Sequence, residues 1–279
     1  MTFNKLTVLK TTVIRGLNPG QFTLQGTNTY LVGKGPNYIL IDTGQGVSGY
    51  EELLYDALKD GKPQKLDVLC THRHLDHVGG IHQVMRVVDR LNEASAPHKC
   101  VMNFYKRVTE DSEQKSYLNI NNGQEFCVEG ASVGAIYTPG HTNDHVSFLL
   151  KEENAVFSGD CVLGQGSAVF ENLTALMHSL QTLLGLAPRR IYPGHGPIVE
   201  DAQATIQQYI SHRNEREKQI VTVLSAQEWM TATQIVNSIY KGYPESILSA
   251  AEKSVILHLE KLEIEQIATR REMQWRIRK

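Results

Sequence analysis

Four potential metal ligands fall within six residues of this chain, and this feature constrains its fold and chemistry most. Residues 71–80 read THRHLDHVGG and follow an apolar, strand-like run. Side chains two apart in an extended backbone point the same way, so His72 and His74 can reach one metal as the strand ends. Asp76 and His77 follow as the chain turns and can face a second metal. This spacing predicts a metal site, whereas a single histidine would more often be a core or surface residue.

Three later strands end in a short glycine-containing turn that presents another potential ligand. These turns are Pro139-Gly140-His141, Ser158-Gly159-Asp160 and Pro193-Gly194-His195. Zinc commonly takes imidazole and carboxylate ligands, and a catalytic zinc site keeps a position open for water. Asp160 has two oxygens and can bridge two ions, although it could instead cap the local backbone. The predicted ligands are His72, His74 and His141 for one metal, Asp76, His77 and His195 for the other, and Asp160 for both.

Two metals in such a site would supply the nucleophile themselves. At a separation of about 3.5–4 Å they would ionise a shared water near neutral pH, and that hydroxide would attack. No catalytic residue is therefore predicted beyond the metal ligands. His82 and His145 lie near the ligands in sequence and are expected to make supporting hydrogen bonds. Surface positions or satisfied hydrogen bonds are expected for His98, His178, His212 and His258.

The composition excludes several classes of protein. A chain of 279 residues is long enough for one large domain and a small one. Its net charge is -2, so any nucleic-acid-binding surface must be local. No apolar run approaches the roughly 20 residues that a transmembrane helix requires, and no membrane partner is expected. The four cysteines form no CxxC pair and are expected to be buried free thiols in a reducing compartment: Cys70, Cys100, Cys127 and Cys161.

Short runs of β-branched and apolar residues indicate that the first half of the chain is rich in strands. Apolar residues at helical spacing indicate the helices between them. The polar segment 91–123 suits a loop or insertion over the site and has no assigned role. The predicted strands are 6–14, 26–32, 38–42, 66–70, 99–103, 131–137, 145–150 and 154–157, and the predicted helices are 51–59, 81–88 and 172–184.

The last third of the chain has the pattern of a small helical module that ends in a hairpin. A long helix at 201–224 is apolar at its ends and charged in its middle, which is typical of a helix that connects two domains. Helices at 231–240 and 246–262 follow, and strands at 266–269 and 274–277 would pair with each other. This order of elements is the pattern of a winged-helix module.

Basic residues at the predicted hairpin form a strip that consists of Arg270, Arg271, Arg276, Arg278 and Lys279. Contact with RNA phosphates is one interpretation, because Lys and Arg neutralise backbone charge without reading sequence. A solvated edge strand whose charges discourage pairing with other strands is a second. Dimerisation through the module is a third.

The motif His72-x-His74-x-Asp76-His77, completed by His141, Asp160 and His195, resembles the metallo-β-lactamase superfamily. The resemblance covers roughly residues 1–200 and implies an α+β fold, the four-layer αβ/βα sandwich. In this fold two mostly antiparallel sheets face each other, helices cover the outside, and the site lies along one edge. Class B β-lactamases commonly use a Cys at the second zinc, whereas Asp160 indicates the hydrolase and nuclease pattern.

Three further segments resemble an animal member of the glyoxalase-II-like branch of this superfamily: 24–33, 157–164 and 206–214. The resemblance implies a zinc-dependent endoribonuclease with two Zn²⁺ ions. This enzyme would hydrolyse phosphodiester bonds of single-stranded RNA through the metal-bridging hydroxide. The implied location is the mitochondrial matrix, with the cytosol as the alternative. The implied organisation is a catalytic domain at 1–200, a connecting helix at 201–225 and a winged-helix-like domain at 226–279.

Two other functions fit the same ligands. A glyoxalase-II-type thioester hydrolase would use the metals on a carbonyl, but the predicted winged helix stands where that enzyme has a glutathione-binding helical segment. A non-catalytic metal-containing RNA- or protein-binding module is the other, although structural zinc sites are normally closed and single. Single-stranded RNA is therefore the predicted partner, and a homodimer is a further prediction.

Overall fold

Two facing β-sheets form the centre of the molecule in a computed structural model, which describes residues 11–94, 99–109, 117–226 and 228–278. Six strands form the first sheet, in chain order: β1 (Thr11–Arg15), β2 (Asn28–Val32), β3 (Asn37–Ile41), β4 (Lys65–Leu69), β5 (Val101–Lys106) and β6 (Leu118–Asn119). Five strands form the second, in the spatial order 11-10-9-8-7: β7 (Glu125–Val128), β8 (Ala131–Tyr137), β9 (Val146–Leu150), β10 (Ala155–Gly159) and β11 (Arg190–Pro193).

The first sheet is mixed. Strands β1 to β3 pair antiparallel, whereas β3–β4, β4–β5 and β5–β6 pair in parallel. The prediction of mostly antiparallel sheets is therefore wrong for this sheet. Parallel neighbours need a crossover connection, and helices supply it here: α1 (Tyr50–Leu58) between β3 and β4, and α3 (Ile81–Ala94), after the short α2 (Leu75–Val78), between β4 and β5. The second sheet is antiparallel except for the pair β10–β11.

Alternating burial explains the layers. Ile39 and Ile41 of β3 point into the core between the sheets, where they meet residues such as Phe148 and Phe157. Leu40, between them in sequence, points the other way into a second core. That core includes residues of α1 and α3. On the far side, α4 (Leu173–Gly185) and α5 (Ala202–Ser225) cover the second sheet through a third core. The order helix, sheet, sheet, helix is the predicted four-layer sandwich.

Helix α5 takes part in two separate cores. Ile206 and Ile210 pack against the second sheet, whereas Ile220 and Leu224 pack in the C-terminal module. This module contains β12 (Met230–Thr231), α6 (Ala232–Ile239), α7 (Glu245–Ile264), β13 (Ala268–Arg271) and β14 (Gln274–Ile277). The Thr231 side chain caps α6 in a capping box with Gln234. The predicted hairpin is part of a three-stranded sheet in which β14 is central, paired with β12 and β13.

Several smaller predictions need correction. Cys127 is exposed, because it alternates with the buried Phe126 on the edge strand β7; the other cysteines are buried. His82 lies exposed on α3, and His258 is fully buried. His178 and His212 are exposed, as predicted. Residues 6–10 of the first predicted strand, residues 95–98 (with His98) and 110–116 of the unassigned segment, and Lys279 of the basic strip lie outside the described part of the chain. None of the helices in the described ranges is long and apolar enough to span a membrane.

Buried His258 should make the stability of the C-terminal module depend on pH. Burial lowers its pKa, so below about pH 6.5 the unfolded chain gains a proton that the folded module resists. Glu217 lies 3.5 Å from His258 Nδ1; its pKa, which burial would raise, is lowered overall by His258 and Lys261. Both groups therefore remove stability as the pH falls. The expected loss below pH 6.5 is up to about 1.4 kcal/mol per pH unit for one proton.

Tryptophan fluorescence during urea unfolding measures this effect in the module alone, because both tryptophans of the chain, Trp229 and Trp275, lie in it. The His258→Phe variant should lose most of the pH dependence between pH 6.5 and 5.5. The exposed His178 lies on α4, and His178→Gln should behave as the wild type. An equal pH dependence in all three proteins would contradict the role of His258.

Candidate metal centre

The seven predicted ligands meet where strands of both sheets end. His72 and His74 follow β4, and Asp76 and His77 lie in the single turn of α2. The other three ligands follow β8, β10 and β11 at the facing edge of the second sheet: His141, Asp160 and His195. The structure separates the side chains into two groups. The first is His72, His74, His141 and Asp160, and the second is Asp76, His77 and His195.

Three imidazole nitrogens of the first group converge on one point. His74 Nδ1 lies 3.0 Å from both His72 Nε2 and His141 Nε2, and these two Nε2 atoms are 3.2 Å apart. A tetrahedral zinc with Zn–N bonds of about 2.0–2.1 Å requires nitrogens about 3.3 Å apart. The spacing of the three nitrogens therefore fits one zinc ion closely.

Asp160 stands between the two groups. Its Oδ2 lies 3.5 Å from His141 Nε2 in the first group. Its Oδ1 lies 3.4 Å from both His77 Nε2 and His195 Nε2 in the second. Asp76 Oδ2 completes the second group, 3.2 Å from His77 and 3.1 Å from His195. A carboxylate that directs one oxygen to each group can bridge two ions.

Two of the facing atoms are buried without a hydrogen-bond partner, namely His77 Nε2 and Asp160 Oδ1. Buried polar atoms are normally satisfied, so such atoms need an explanation. A divalent metal coordinated by both would provide it. Metal binding by the seven residues remains a prediction, and the orientation of their donor atoms fits it.

Hydrogen bonds behind the histidines fix which nitrogen faces the centre. His77 Nδ1 donates to Asp42 Oδ2 at 2.7 Å, which leaves Nε2 free. The Thr71 hydroxyl donates to the same carboxylate and so accepts from His72 Nδ1, 3.0 Å away. His141 Nδ1 donates to the Val169 carbonyl oxygen at 2.7 Å. Such outer contacts orient the ring and set the tautomer that a metal requires.

Burial and neighbouring charges shift the pKa values of these groups in opposite directions. Burial lowers the pKa of His72, which keeps this imidazole neutral and able to bind metal. Burial would also lower the pKa of His77, but Asp160 and Asp42 raise it well above the usual value. Burial would raise the pKa of Asp160, but His77 and His195 hold it well below. The ionised carboxylates favour positive charge in the second group, which a metal would supply in place of the protons on His77 and His195.

Glycines permit the close packing around this centre. A Cβ atom on Gly194 would lie 2.5 Å from Asp160 Oδ1 and 2.9 Å from His77 Cε1. A Cβ on Gly80 would overlap the Thr43 carbonyl oxygen, so the chain after α2 can approach β3 only without a side chain there. Any larger residue at position 194 would therefore clash with Asp160 and His77.

His145 makes the supporting hydrogen bonds that its sequence position predicted. Its Nε2 accepts from the Asp160 backbone N–H at 3.1 Å, and its Nδ1 lies 2.9 Å from the Thr138 hydroxyl. Burial lowers the pKa of His145 to about 3. With both nitrogens engaged, this residue holds Asp160 in place and is not a proton donor to substrate.

Asp42 was not predicted as a site residue. It directly follows β3 in the sequence Asp42-Thr43-Gly44, which indicates a turn, and its partner His77 is 35 residues away. The same arrangement, an aspartate directly after a strand, identified Asp160. That signal could have found Asp42 as well.

Replacing Asp42 by asparagine should weaken metal binding about 10- to 100-fold. The two carboxylate oxygens accept from the Thr71 N–H, the Thr71 hydroxyl and His77 Nδ1, and an amide would turn its NH₂ group toward one of these donors. Competition with a chromophoric chelator measures the affinity. Asp67→Asn is the matched control: Asp67 is also a buried aspartate of the first sheet, but it contacts Lys65 and Asn103. Equal affinity of the two variants would contradict the role of Asp42.

A cleft of about 640 Å³ gives solvent access to the centre. Its polar floor consists of His74, Asp76, His141, Asp160 and His195. Its rim is apolar and exposed, and includes Phe22, Leu75 and Val169. The remaining ligands, His72 and His77, are buried behind this floor. The arrangement therefore presents both groups to one substrate.

Comparison with known proteins agrees with this geometry. A family model described as the metallo-beta-lactamase superfamily matches residues 22–195. The chain belongs to the metallo-β-lactamase superfamily. A second model, a beta-lactamase associated winged helix domain, matches residues 231–275. Both the superfamily and the C-terminal winged helix predicted from the sequence are thereby confirmed.

Several related proteins match most of the chain. Proteins called beta-lactamase-like protein 2 homolog, from Caenorhabditis elegans and Drosophila melanogaster, are 41% and 42% identical over 90% and 93% of this chain, and the matches cover 83% and 90% of theirs. An atrochrysone carboxyl ACP thioesterase from Aspergillus fumigatus is 40% identical over 86% of this chain and 77% of its own. Members of the metallo-β-lactamase superfamily are generally metal-dependent hydrolases, and this member has His and Asp groups fit for metal.

The same fold occurs in solved structures. A beta-lactamase domain protein from Burkholderia ambifaria superposes with a TM-score of 0.76 over 99% of this chain and 93% of its own, at 16% identity. A metallo-beta-lactamase family protein from Thermus thermophilus gives 0.67 over 96% and 98%, at 20% identity. These likenesses show the fold of this superfamily member and leave its substrate to be argued from its own residues.

Proposed function

We propose that this protein is a metal-dependent endoribonuclease that hydrolyses phosphodiester bonds of single-stranded RNA. The hydrolytic part of this proposal rests on the position of Asp160. Its two carboxylate oxygens face two groups of ligands at the floor of one open cleft. Two Zn²⁺ ions, bound there, would activate water and stabilise negative charge on the phosphate oxygens. Zinc is proposed because it commonly binds the imidazole and carboxylate donors that both groups supply.

The residues of the chain position this chemistry. Asp42, Thr71 and the Val169 carbonyl hold three imidazoles with their free nitrogens toward the cleft. His145 fixes the Asp160 backbone. The cleft opens to solvent, so an RNA strand can reach it, as an endonuclease requires.

The wing of the C-terminal module supports RNA as the substrate. Among the residues that the structure describes, Arg270, Arg271, Arg276 and Arg278 make no ion pair with a carboxylate. Arg271 and Arg276 lie over the Trp229 ring, 5.7 and 4.7 Å from its centroid. These charges are uncompensated and can contact phosphates. The edge-strand interpretation is weaker for Arg276, since β14 is the central strand of its sheet.

A thioesterase is the second candidate, because a relative named as an ACP thioesterase is 40% identical over most of the chain. The same groups could act on a thioester carbonyl, and the apolar rim of the cleft would suit an acyl chain. The relatives named beta-lactamase-like protein 2 homolog match a similar share of this chain, and their name specifies no substrate.

Parallel assays separate the two functions. The zinc-loaded protein is incubated with end-labelled single-stranded RNA and, separately, with S-lactoylglutathione and an acyl-phosphopantetheine thioester. We expect RNA fragments with 5′-phosphate and 3′-hydroxyl ends, because water rather than the 2′-hydroxyl is the nucleophile. Thioester turnover without RNA cleavage would contradict the proposal and favour the thioesterase. Fragments with 2′,3′-cyclic phosphate ends would contradict the mechanism.

A further inference from the structure

Helix α5 carries a buried arginine that has no acidic partner. Arg213 is only 6% exposed, and it makes no ion pair within the described ranges of the chain. Its guanidinium donates to the Ala168 carbonyl oxygen at 3.0 Å and lies 4.6 Å from the Phe170 ring centroid. Its Nε is buried without a hydrogen-bond partner. Burying an unpaired charge is costly, so a compensating anion is expected nearby.

A cavity of about 340 Å³ lies beside this guanidinium. Its lining contains no acidic residue. The Tyr209 hydroxyl already donates to the Gly166 carbonyl oxygen, and it accepts from the Leu163 N–H. Every other polar side chain in the lining can donate a hydrogen bond into the cavity: Ser167, Gln208, His212 and Arg213. Donors on all sides and no carboxylate indicate a site for an anion.

The same cavity adjoins the metal cleft. Gly166 and Ser167 line both spaces. The next residue, Ala168, lines the cleft and accepts the hydrogen bond from Arg213; Val169 follows and accepts from the metal-facing His141. One short loop therefore separates the ligand groups from the cavity. A polyanion bound at the metals can cross this loop and place its next charge beside Arg213.

We infer that the cavity at Ser167, Gln208, His212 and Arg213 is a phosphate subsite, which holds a backbone phosphate of the RNA next to the one that is cut. This inference rests on the proposed function and adds the path of the RNA, which would run from the metals across residues 166–168 to α5. The planar guanidinium suits phosphate, because its parallel N–H groups can bind two oxygens. The subsite raises affinity without touching the reacting atoms.

Steady-state cleavage of single-stranded RNA by the metal-loaded full chain tests this inference. Arg213→Met should raise KM about tenfold and leave kcat nearly unchanged. The slope of log KM against log salt concentration should fall by about 0.7, the value for one phosphate contact on a single strand. Arg216→Met is the matched control, since Arg216 lies three residues along α5 but stacks on Tyr240, 4.3 Å from its ring centroid. It should keep the wild-type KM and slope.

A charge-deleted substrate distinguishes phosphate binding from a structural role of Arg213. An RNA with one neutral methylphosphonate next to the cut site should raise KM for the wild type but have little further effect in Arg213→Met. His212→Ala, which removes a donor at an exposed position, should raise KM a few-fold and provides the test if Arg213→Met unfolds. Methylphosphonate effects of equal size in all variants would overturn the inference, as would wild-type KM values in both cavity variants.

The same experiment distinguishes a failure of the proposed function from a failure of the phosphate subsite. If the wild type cuts no RNA, the proposed function fails and the RNA subsite fails with it. If the wild type cuts RNA and the variants at Arg213 and His212 do so with unchanged KM and salt slope, only the subsite fails. If these variants weaken only the turnover of acyl-phosphopantetheine, the cavity binds the phosphate of a thioester substrate and the RNA assignment is wrong.

Discussion

Replacing Asp160 by asparagine should lower the rate of RNA cleavage by about 10³-fold or more, which corresponds to about 4 kcal/mol of transition-state free energy. Asparagine keeps the size of the side chain but removes the charge, and its amide nitrogen cannot coordinate a metal. Asp160 faces His141 in one group and His77 and His195 in the other. Its loss should therefore weaken both groups together. Metal content measured on the purified variant should fall below that of the wild type.

Asp67→Asn controls for the loss of a buried aspartate in the same domain. It should retain wild-type cleavage and metal content. RNA cleavage undiminished in Asp160→Asn would show that Asp160 does not bridge the metals. A loss of activity with full metal content would place Asp160 in a different role.

Removing the metals with a chelator should abolish cleavage and lower the stability of the catalytic domain, by about 4 kcal/mol for each metal whose free concentration exceeds its dissociation constant 1,000-fold. The difference should depend on pH. In the metal-free protein, burial lowers the pKa of His195, but hydrogen bonds to Asp160 and Asp76 raise it to about 9 overall. Because this pKa is raised, protonation of His195 stabilises the folded metal-free protein. The stabilisation is complete below about pH 6.5 and is lost as the pH rises through 9.

Metal binding has the opposite dependence, because the imidazoles must be deprotonated to coordinate. The difference in unfolding temperature between the metal-loaded and metal-free protein should therefore widen from pH 6.5 to 9. Differential scanning calorimetry of the full chain measures it. Trp229 and Trp275 lie in the C-terminal module, so their fluorescence should show little change on chelation. A difference that is constant or narrows with rising pH would contradict ligation by His77 and His195.

Much of the metal site could be predicted from the spacing of residues in the sequence. His72 and His74 alternate after a strand, and Asp76 and His77 follow in one helical turn, so the sequence itself brings these four side chains together. His141, Asp160 and His195 were predicted because each follows a strand at a glycine turn. Their convergence depends only on strand ends meeting at one edge. The metal identity stays a prediction, since imidazole and carboxylate accept several divalent ions.

Contacts between distant segments could not be predicted in this way. The bond between Asp42 and His77 joins the end of β3 to α2, and no repeat in the sequence relates them. Arg213 lies in the charged middle of α5, which was interpreted as a helix that connects two domains. Its burial depends on Ala168 and Phe170, which a loop from another part of the chain supplies. The direction of strand pairing in the first sheet likewise depends on the crossover helices rather than on the strands themselves.

Incubation of the zinc-loaded protein with a circular single-stranded RNA tests the central claim most directly, since a circle offers no end to an exonuclease. We expect conversion to linear RNA with a 5′-phosphate, complete dependence on metal, and no conversion by Asp160→Asn. A circle that stays intact while an acyl-phosphopantetheine thioester is hydrolysed would contradict the claim and identify the protein as a thioesterase.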